Sequence, residues 1–217
     1  MHTQSLLSAT AVLLFSSMAQ AAIVTPTSYD LLNGNSGSYN YWDDSYTGTG
    51  NKQQDGAALS GGLGDLTDGV IATQNWNLVE GPRGPHGPYV GWANKNPTVN
   101  FHFGSVVNVD SITVYADDSN GYGGVSAPSS ITINGTNFSV TDPSSANPLA
   151  LTFDNLNLTT ADIDITFNRK SSWVFVSEVS FGNNSASANA VPVPAATWLF
   201  GSGLLGLIGV SRRKSSV

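Results

Sequence analysis

The chain of 217 residues contains no cysteine, which excludes disulfide bonds, cysteine-ligated metal centres and thiol nucleophiles. Basic residues are also scarce, with eight Lys and Arg against fifteen Asp and Glu. Three of those cations lie near the last residue, at Arg212, Arg213 and Lys214, so five remain against fifteen acids and the rest of the chain has a net charge of −10. We do not expect so acidic a body to bind nucleic acid or anionic lipid through its overall field.

Familiar catalytic motifs are missing as well. The chain contains no HExxH, no CxxC and no Gly-x-Ser-x-Gly sequence. The acid pairs Asp43–Asp44 and Asp117–Asp118 are sequence neighbours in polar segments, where adjacent side chains diverge and are usually solvated. We therefore expect a protein that is not an enzyme, and a polysaccharide hydrolase is the least favoured reading.

The N-terminal region has the pattern of a signal peptide. A short apolar run at residues 6–15 is too brief to span a membrane, and small residues follow it. Ala19 and Ala21 fit an Ala-x-Ala cleavage site. We predict a signal peptide at residues 1–21 and a mature chain that starts at Ala22; an N-terminal core helix is the alternative.

The C-terminal region holds an uncharged, largely apolar run at residues 191–210, followed at once by the three terminal cations. As a helix it would be roughly 30 Å long, about the thickness of a hydrocarbon core. The cations would stay on the cytoplasmic side. The run predicts a transmembrane helix with a basic stop, and the alternative is a buried helix of a globular domain.

This tail resembles the PEP-CTERM sorting signal of exported bacterial proteins, with Val193 where its Val-Pro-Leu-Pro-Ala variant usually has leucine. The matching positions are Val191, Pro192, Val193, Pro194, Ala195, the run 198–209, and Arg212, Arg213 and Lys214. The resemblance covers residues 191–217. It implies an exosortase as partner, transient anchoring in the inner membrane of a Gram-negative bacterium, and export to the outer surface or extracellular matrix.

Alternating apolar and polar residues between the two ends predict an all-β fold, best read as a β-sandwich. The strand patterns lie at residues 99–104, 112–116, 131–133, 138–140, 149–153, 163–167 and 173–181. Asn134-Gly135 is typical of a two-residue hairpin turn. We expect a Gly/Asn-rich front segment of the sandwich at residues 22–64, irregular from Asn33 onward, the main sandwich at 65–182, and a polar linker at 183–190.

Short motifs in this region resemble the galactose-binding-like jelly roll, the discoidin or coagulation factor 5/8 type C group that includes family 32 carbohydrate-binding modules. They are residues 66–69, Thr73, Trp76, Gly91, Trp92, the strand 97–104, residues 126–131 and residues 177–179. The resemblance implies a jelly-roll sandwich, and in many members of the group a calcium ion lies where an Asp-Gly loop meets a Glu of the last strand.

The positions that match this calcium site are Asp68, Thr73 and Glu178, with Asp65 as a further ligand. Calcium prefers several oxygen ligands, which carboxylates and the carbonyls of a tight loop supply. Glu178 follows the apolar Val174 and Val176 at a spacing of two, so we expect it on a buried face, where an unpaired carboxylate is costly. The alternatives are an ordinary turn residue at Asp68 and, at Glu178, an exposed edge residue or a partner of Arg169.

A saccharide site would use flat aromatic faces and polar side-chain tips. The candidate ligand-binding residues are Arg83, His86, Tyr89, Trp92 and Arg169, with Trp42 and Tyr122 as further loop aromatics. The alternative is that the segment 83–89 is only a stiff loop.

We therefore expect an exported, noncatalytic β-sandwich with a structural or adhesive role in exopolysaccharide or biofilm. The main rival is a calcium-dependent carbohydrate-binding module with a specific glycan ligand.

Overall fold

The computed structural model describes residues 22–81 and 87–183. The predicted signal peptide, the linker beyond Asn183 and the sorting tail with its transmembrane helix lie outside these residues. Over the described ranges, none of the helical segments has the length and apolar character needed to cross a bilayer.

The described residues form eleven strands, one short α-helix and one 3-10 turn at Tyr122–Gly124. In chain order the strands and the α-helix are β1 (Ala22–Val24), β2 (Ser28–Leu32), β3 (Ala58–Gly62), α1 (Trp76–Val79), β4 (Val90–Ala93), β5 (Thr98–Val109), β6 (Ser111–Ala116), β7 (Ser130–Ile133), β8 (Thr136–Ser139), β9 (Leu149–Phe153), β10 (Leu158–Asn168) and β11 (Trp173–Asn183). The helix is a single turn, so the prediction of an all-β fold is confirmed in all but this element.

The strands form two antiparallel sheets that enclose one core. The six-stranded sheet has the order β3-β2-β5-β10-β7-β8, and the five-stranded sheet has the order β1-β11-β6-β9 with β4 paired to the other end of β11. Side chains at alternate positions of both sheets meet between them, as in any sandwich. They include Val99, Phe101, Ile112, Val114, Ile163, Ile165, Val174, Val176, Val179 and Phe181.

The hairpin predicted at Asn134-Gly135 is present. Strands β7 and β8 pair with Ile133 opposite Thr136, which leaves a two-residue turn between them. Asn134 has φ 44° and Gly135 has φ 80°. Positive φ at both central positions is what the type I′ turn requires, and Asn and Gly adopt it at the lowest cost.

The front segment, residues 22–64, is an integral part of both sheets. It supplies β1 to the five-stranded sheet and β2 and β3 to the six-stranded sheet. Tyr29, Tyr46 and Leu59 are buried members of the common core. The sandwich therefore begins at Ala22, and no structural boundary separates residue 64 from residue 65.

A second apolar cluster covers the outer face of the five-stranded sheet. It consists of Tyr41, Ala72, Trp76, Tyr89, Val125 and Phe175, all buried. Phe175 points away from the core that contains Val174 and Val176, because successive strand residues face opposite sides. The rings of Tyr41 and Trp76 lie 4.6 Å and 6.0 Å from that of Phe175. This cluster fixes the loops that carry the candidate site.

Candidate functional site

The segment from Leu66 to Trp76 runs across β11 on the outer side of the five-stranded sheet. Three contacts hold it there. The N–H of Val179 donates to the carbonyl of Leu66 at 2.8 Å, the N–H of Gly69 donates to Oε2 of Glu178 at 3.0 Å, and the N–H of Ala72 donates to Oγ of Ser177 at 3.3 Å. The segment is therefore held by one backbone N–H of β11 and by the side chains of Ser177 and Glu178.

A β-bulge decides which way Glu178 faces. In the pairing of β11 with β6 the register shifts between Val176 and Glu178. Val174 and Val176 lie in the core before the bulge, and Val179 and Phe181 lie in it afterwards. The expectation that Glu178 shares the face of Val174 and Val176 is therefore wrong, because the extra residue of a bulge inverts the alternation. Glu178 points outward, under the segment that crosses β11.

Glu178 is nevertheless almost completely covered, with 7% of its surface exposed. Burial raises the pKa of its carboxyl to about 7, and the negative charge of Asp68 adds to the rise while the hydrogen bond from Gly69 opposes it. Glu178, Asp68 and Gly69 line one groove of about 530 Å³. A buried carboxylate, that of Glu178, and an exposed one, that of Asp68, thus line the same groove, where a cation would offset the charge of both.

The four residues predicted to bind calcium are divided among three neighbourhoods. Asp68 and Glu178 lie together, as just described. Asp65 instead accepts hydrogen bonds from the N–H of Asp44 at 3.1 Å, the N–H of Ser45 at 3.3 Å and the hydroxyl of Ser45. Thr73 lines a different cleft. Over residues 22–81 and 87–183, no three Asp, Glu or His side chains are arranged to hold a metal ion.

The donor atoms of the Asp68–Glu178 pair still suit calcium. Both side chains supply hard carboxylate oxygens, and a tight loop with Gly69 at φ 83° passes next to them. Asp68 also accepts a hydrogen bond from the N–H of Val70 at 2.8 Å, which fixes its carboxylate within the loop. These two side chains thus offer oxygen atoms of the kind that calcium prefers.

A second cleft, here called the amide cleft, lies beside this segment and has a volume of about 460 Å³. Three stretches of chain form it: the segment around α1, the loop after β6 and the loop before β9. Its described lining residues are Thr73, Gln74, Asn75, Asn77, Leu78, Ser119, Tyr122, Ala146, Asn147 and Pro148. Four carboxamides, two small hydroxyls and one phenol therefore face a common space.

The walls of the amide cleft are tied to one another. Nδ2 of Asn75 donates to the carbonyl of Asp118 at 3.4 Å and to that of Ala146 at 3.2 Å, so it links all three stretches. Tyr122 is 65% exposed, and its ring stacks on Trp76 with centroids 6.1 Å apart and planes 28° apart. Because Trp76 stacks on Phe175 in turn, the plane of Tyr122 is held by the buried cluster.

Comparison with known proteins identifies the family. The model of the discoidin domain-containing receptor 1/2, DS-like domain matches residues 26–183, which is most of the chain and nearly all of the sandwich. The chain belongs to this family. The match confirms the predicted discoidin-like β-sandwich, and it starts well before residue 65, as the strands of the front segment require.

Individual relatives of this DS-like domain are distant. It is 29% identical over 142 residues to the discoidin domain-containing receptor tyrosine kinase B of Caenorhabditis elegans, which covers 58% of this chain but 17% of that protein. Among solved structures, it is similar to truncated AlyQ with CBM32 and alginate lyase domains at 13% identity, TM-score 0.42, and coverage of 76% of this chain and 34% of that one. The Streptococcus pneumoniae β-galactosidase BgaA gives 16% identity, TM-score 0.42, and coverage of 75% and 98%. Similarity at this level carries no conclusion about the ligand or the activity of this chain.

Two aromatic residues predicted to bind sugar are buried in this DS-like domain, so that prediction is wrong for them. Trp92 is 0% exposed, packs on Phe167 in the core and donates from Nε1 to the carbonyl of Leu32 at 2.7 Å. Tyr89 is 1% exposed and donates to the carbonyl of Gln74 at 3.0 Å. Trp92, in β4, packs in the core between the sheets, whereas Tyr89, just before β4, packs in the cluster on the outer face of the five-stranded sheet.

The remaining predicted ligands do not gather at one place. Arg169 donates from a guanidinium nitrogen to the carbonyl of Ser171 at 2.8 Å and does not line the amide cleft. Arg83 and His86 lie outside the described residues. Of the loop aromatics, Tyr122 does reach the cleft, whereas Trp42 donates to Asp55 at 2.7 Å.

The carboxamides of the cleft are the residues that sequence reasoning missed. A signal was present, because Gln74, Asn75 and Asn77 crowd three amides into four positions directly after Thr73. Nothing in the sequence, however, shows that Asn147 comes from a distant loop to face them.

Proposed function

We propose that this DS-like domain is an exported, noncatalytic adhesive module that binds a glycan chain of the extracellular matrix in the amide cleft. The observation that carries the proposal is the composition of that cleft. Its three exposed carboxamides, those of Gln74, Asn77 and Asn147, can each donate and accept hydrogen bonds, as sugar hydroxyls require. The exposed ring of Tyr122 offers a flat apolar face for a pyranose, in a fixed orientation.

The glycan site so proposed lies at Tyr122 and the carboxamides of the amide cleft, and not at Tyr89, Trp92 and Arg169. A binding site on preformed walls avoids part of the ordering cost of association. The link that Asn75 makes to both opposite loops, and the stacking of Tyr122 on Trp76, supply that preformed geometry. We expect the affinity of a single site with one stacking ring to be low. Several copies of the protein bound to one polymer chain would raise the overall avidity.

Calcium is part of the proposal as a structural ion. Asp68 and Glu178 would hold it, with Asp65 and Thr73 available only if their loops rearrange. When bound, the ion would neutralise the paired carboxylates and stabilise the loop around Gly69. Because the same segment continues into Thr73 and Gln74, order at Asp68 would extend to one wall of the amide cleft.

Export by a signal peptide and an exosortase completes the proposal and rests on the two end sequences. The matching residues 191–217 and the basic stop support it. Mass spectrometry of the protein recovered from the cell surface should find an N-terminus at Ala22 and a C-terminus that lacks the cations. Uncut protein in the cytosol would contradict export.

A glycan array with the purified protein tests the binding function. We expect binding to at least one polysaccharide, weakened at least fivefold by Tyr122→Ala, since loss of a stacking ring costs about 1 kcal/mol or more. Asn77→Ala should also weaken binding, whereas Asn137→Ala, an exposed amide on the β7–β8 hairpin, should not. A protein that binds no glycan would point instead to a purely structural matrix role.

A further inference from the structure

The described residues that line the amide cleft are all uncharged. Recognition of a carboxylate or sulfate group usually relies on Arg, Lys or several convergent N–H donors, which make short charge-assisted hydrogen bonds. Carboxamides and hydroxyls serve neutral hydroxyl groups equally well as donors and acceptors. The lining alone therefore favours a ligand without charge.

The groups directly behind the lining are negative. Asp117 and Asp118 are both 0% exposed and lie in the loop that carries Ser119 and Tyr122. Oδ1 of Asp117 accepts the hydroxyl of Ser119 at 2.6 Å, and its Oδ2 accepts the N–H of Trp76. The hydroxyl proton of Ser119 is thus turned away from the cleft and towards a buried carboxylate.

Asp118 follows Asp117 in the same loop. Its carbonyl accepts Nδ2 of Asn75, and its Oδ1 accepts the N–H groups of Asn120 at 2.9 Å and Ala127 at 3.2 Å. Its Oδ2 is buried without a hydrogen-bond partner among the described residues. Of the donors that line the cleft, the Ser119 hydroxyl is thus taken up by a buried carboxylate and Nδ2 of Asn75 by two backbone carbonyls, while the two carboxylates behind the wall contribute a negative field.

Nearby positive charge is already engaged. Lys170, which interacts electrostatically with Asp118, forms an ion pair with Asp142 at 2.7 Å. The body as a whole carries five cations against fifteen acids. An anionic chain entering the cleft would meet repulsion from two buried carboxylates in a low-dielectric wall, where charges are weakly screened.

We infer that the amide cleft selects uncharged glycan chains and rejects chains that carry carboxylate or sulfate groups. This inference rests on the proposed glycan-binding function and specifies its substrate class. Positively charged amino sugars would form no ion pair in the cleft, because no carboxylate lines its described part. They would be attracted only through the field, and that attraction would disappear in salt.

The test compares soluble probes of each charge class on the purified protein, in 20 mM and 500 mM NaCl. The neutral probes are galactan, dextran and maltoheptaose, the anionic probes are polygalacturonate and alginate, and the cationic probe is a chitosan oligomer. We expect binding of a neutral probe that persists in 500 mM NaCl, and binding of each anionic probe that is at least tenfold weaker.

A variant with an added positive charge in the cleft provides a second test. Asn77→Lys places a cation on the rim of the cleft and should strengthen polygalacturonate binding about tenfold in 20 mM NaCl, with loss of the gain in 500 mM NaCl. Asn137→Lys adds the same charge on the β7–β8 hairpin and should leave polygalacturonate binding unchanged. Equal gains in both variants would mean that overall charge, and not the cleft, governs selection, and would overturn the inference.

The two levels of the proposal fail in different ways. If an anionic probe, or chitosan in 500 mM NaCl, binds most tightly and the binding is lost in Tyr122→Ala, the protein binds glycans but the inferred substrate class is wrong. If no probe of any class binds, the proposed function itself is wrong and the inference falls with it.

Discussion

Replacing Glu178 with Gln separates two effects of the covered carboxylate beneath the loop at Gly69. Glutamine keeps the shape of the side chain and an oxygen that can accept the N–H of Gly69, now 3.0 Å from Oε2. It removes the charge. In the absence of calcium the variant should therefore be more stable than the wild type wherever Glu178 is ionised, and with calcium it should lose the stabilisation that the ion provides.

The size of the first effect follows from the pKa. Burial raises the pKa of Glu178 from 4.5 to about 7. At about 1.4 kcal/mol per pKa unit the upper bound is about 3.5 kcal/mol, and we expect about 1–2 kcal/mol after solvent relaxation. That corresponds to a rise in Tm of about 3–6 °C for a domain of this length.

The pH dependence has a definite sign. Because the folded protein holds the proton on Glu178 more tightly than the unfolded chain, the wild type gains stability as the pH falls from 8 through 7 towards 4.5. Glu178→Gln cannot gain in this way. Its advantage over the wild type in EDTA should be full at pH 8 and absent near pH 4.5.

Thermal unfolding at pH 8 and pH 5, in EDTA and in millimolar calcium, measures both effects. Glu80→Gln is the matched control, because burial also raises the pKa of Glu80 to about 7 but its carboxylate accepts the N–H groups of Gly87 and Tyr89, away from Asp68. The amide nitrogen of Gln cannot accept a hydrogen bond, so Glu80→Gln should lose one of these two bonds and some stability at both pH values, but it should keep the full response to calcium. If Glu178→Gln is destabilised in EDTA at pH 8, the burial argument is refuted; an unchanged calcium response refutes the placement of the ion.

Two further predictions concern the sheets. Gly91 lies opposite Phe175 in the β4–β11 pair, and a methyl group there would overlap the buried ring. Gly91→Ala should therefore lower the urea midpoint by the equivalent of about 2 kcal/mol or more. Gly81→Ala should change it little, because a methyl group at Gly81 would meet no atom of the described residues within 4 Å. Nδ1 of His102 lies 2.6 Å from Oδ1 of Asp162, and this hydrogen bond raises the pKa of the imidazole above 6.5. The protonated imidazole therefore stabilises the fold below pH 6.5. This stabilisation is lost as the pH rises through the raised pKa of His102. In an NMR titration Asp162→Asn should bring the pKa of His102 back towards 6.5, and an unchanged value would show that the carboxylate is not the cause.

The strands could be predicted because one face of each is buried. Alternation at residues 112–116 and 163–167 places Ile112 and Ile163 in the core, and the structure confirms both strands. The Asn134-Gly135 turn was equally readable, since few other residue pairs adopt two positive φ angles. These signals are local, so one sequence is sufficient to find them.

The orientation of Glu178 could not be predicted in the same way. A bulge adds a residue on one strand in response to its partner, and Ser177 and Glu178 carry no local mark of it. Trp92 was misread for a related reason: Gly91 leaves room for Phe175, so β4 is a buried strand although its sequence is short and interrupted by glycine. Both errors concern contacts between distant segments.

The cleft was the least predictable feature. Its walls come from residues near 75, 120 and 147, and their meeting depends on the pairing of β6 with β9 and on the buried cluster around Phe175. Composition indicated that amides are frequent, but no spacing rule brings Asn147 to Asn75.

The pairing of Ala22 with Asn183 has a mechanical consequence. Because β1 and β11 are antiparallel and their outer ends are neighbours, tension applied between these two residues would peel the strands apart one residue pair at a time. Such unzipping needs little force, because the hydrogen bonds break one after another. Tension applied between one terminus of the sandwich and a polymer bound to it would load a different set of hydrogen bonds. A body tethered by both ends would thus yield first at β1, while the deeper strands β5, β6 and β10 stayed paired.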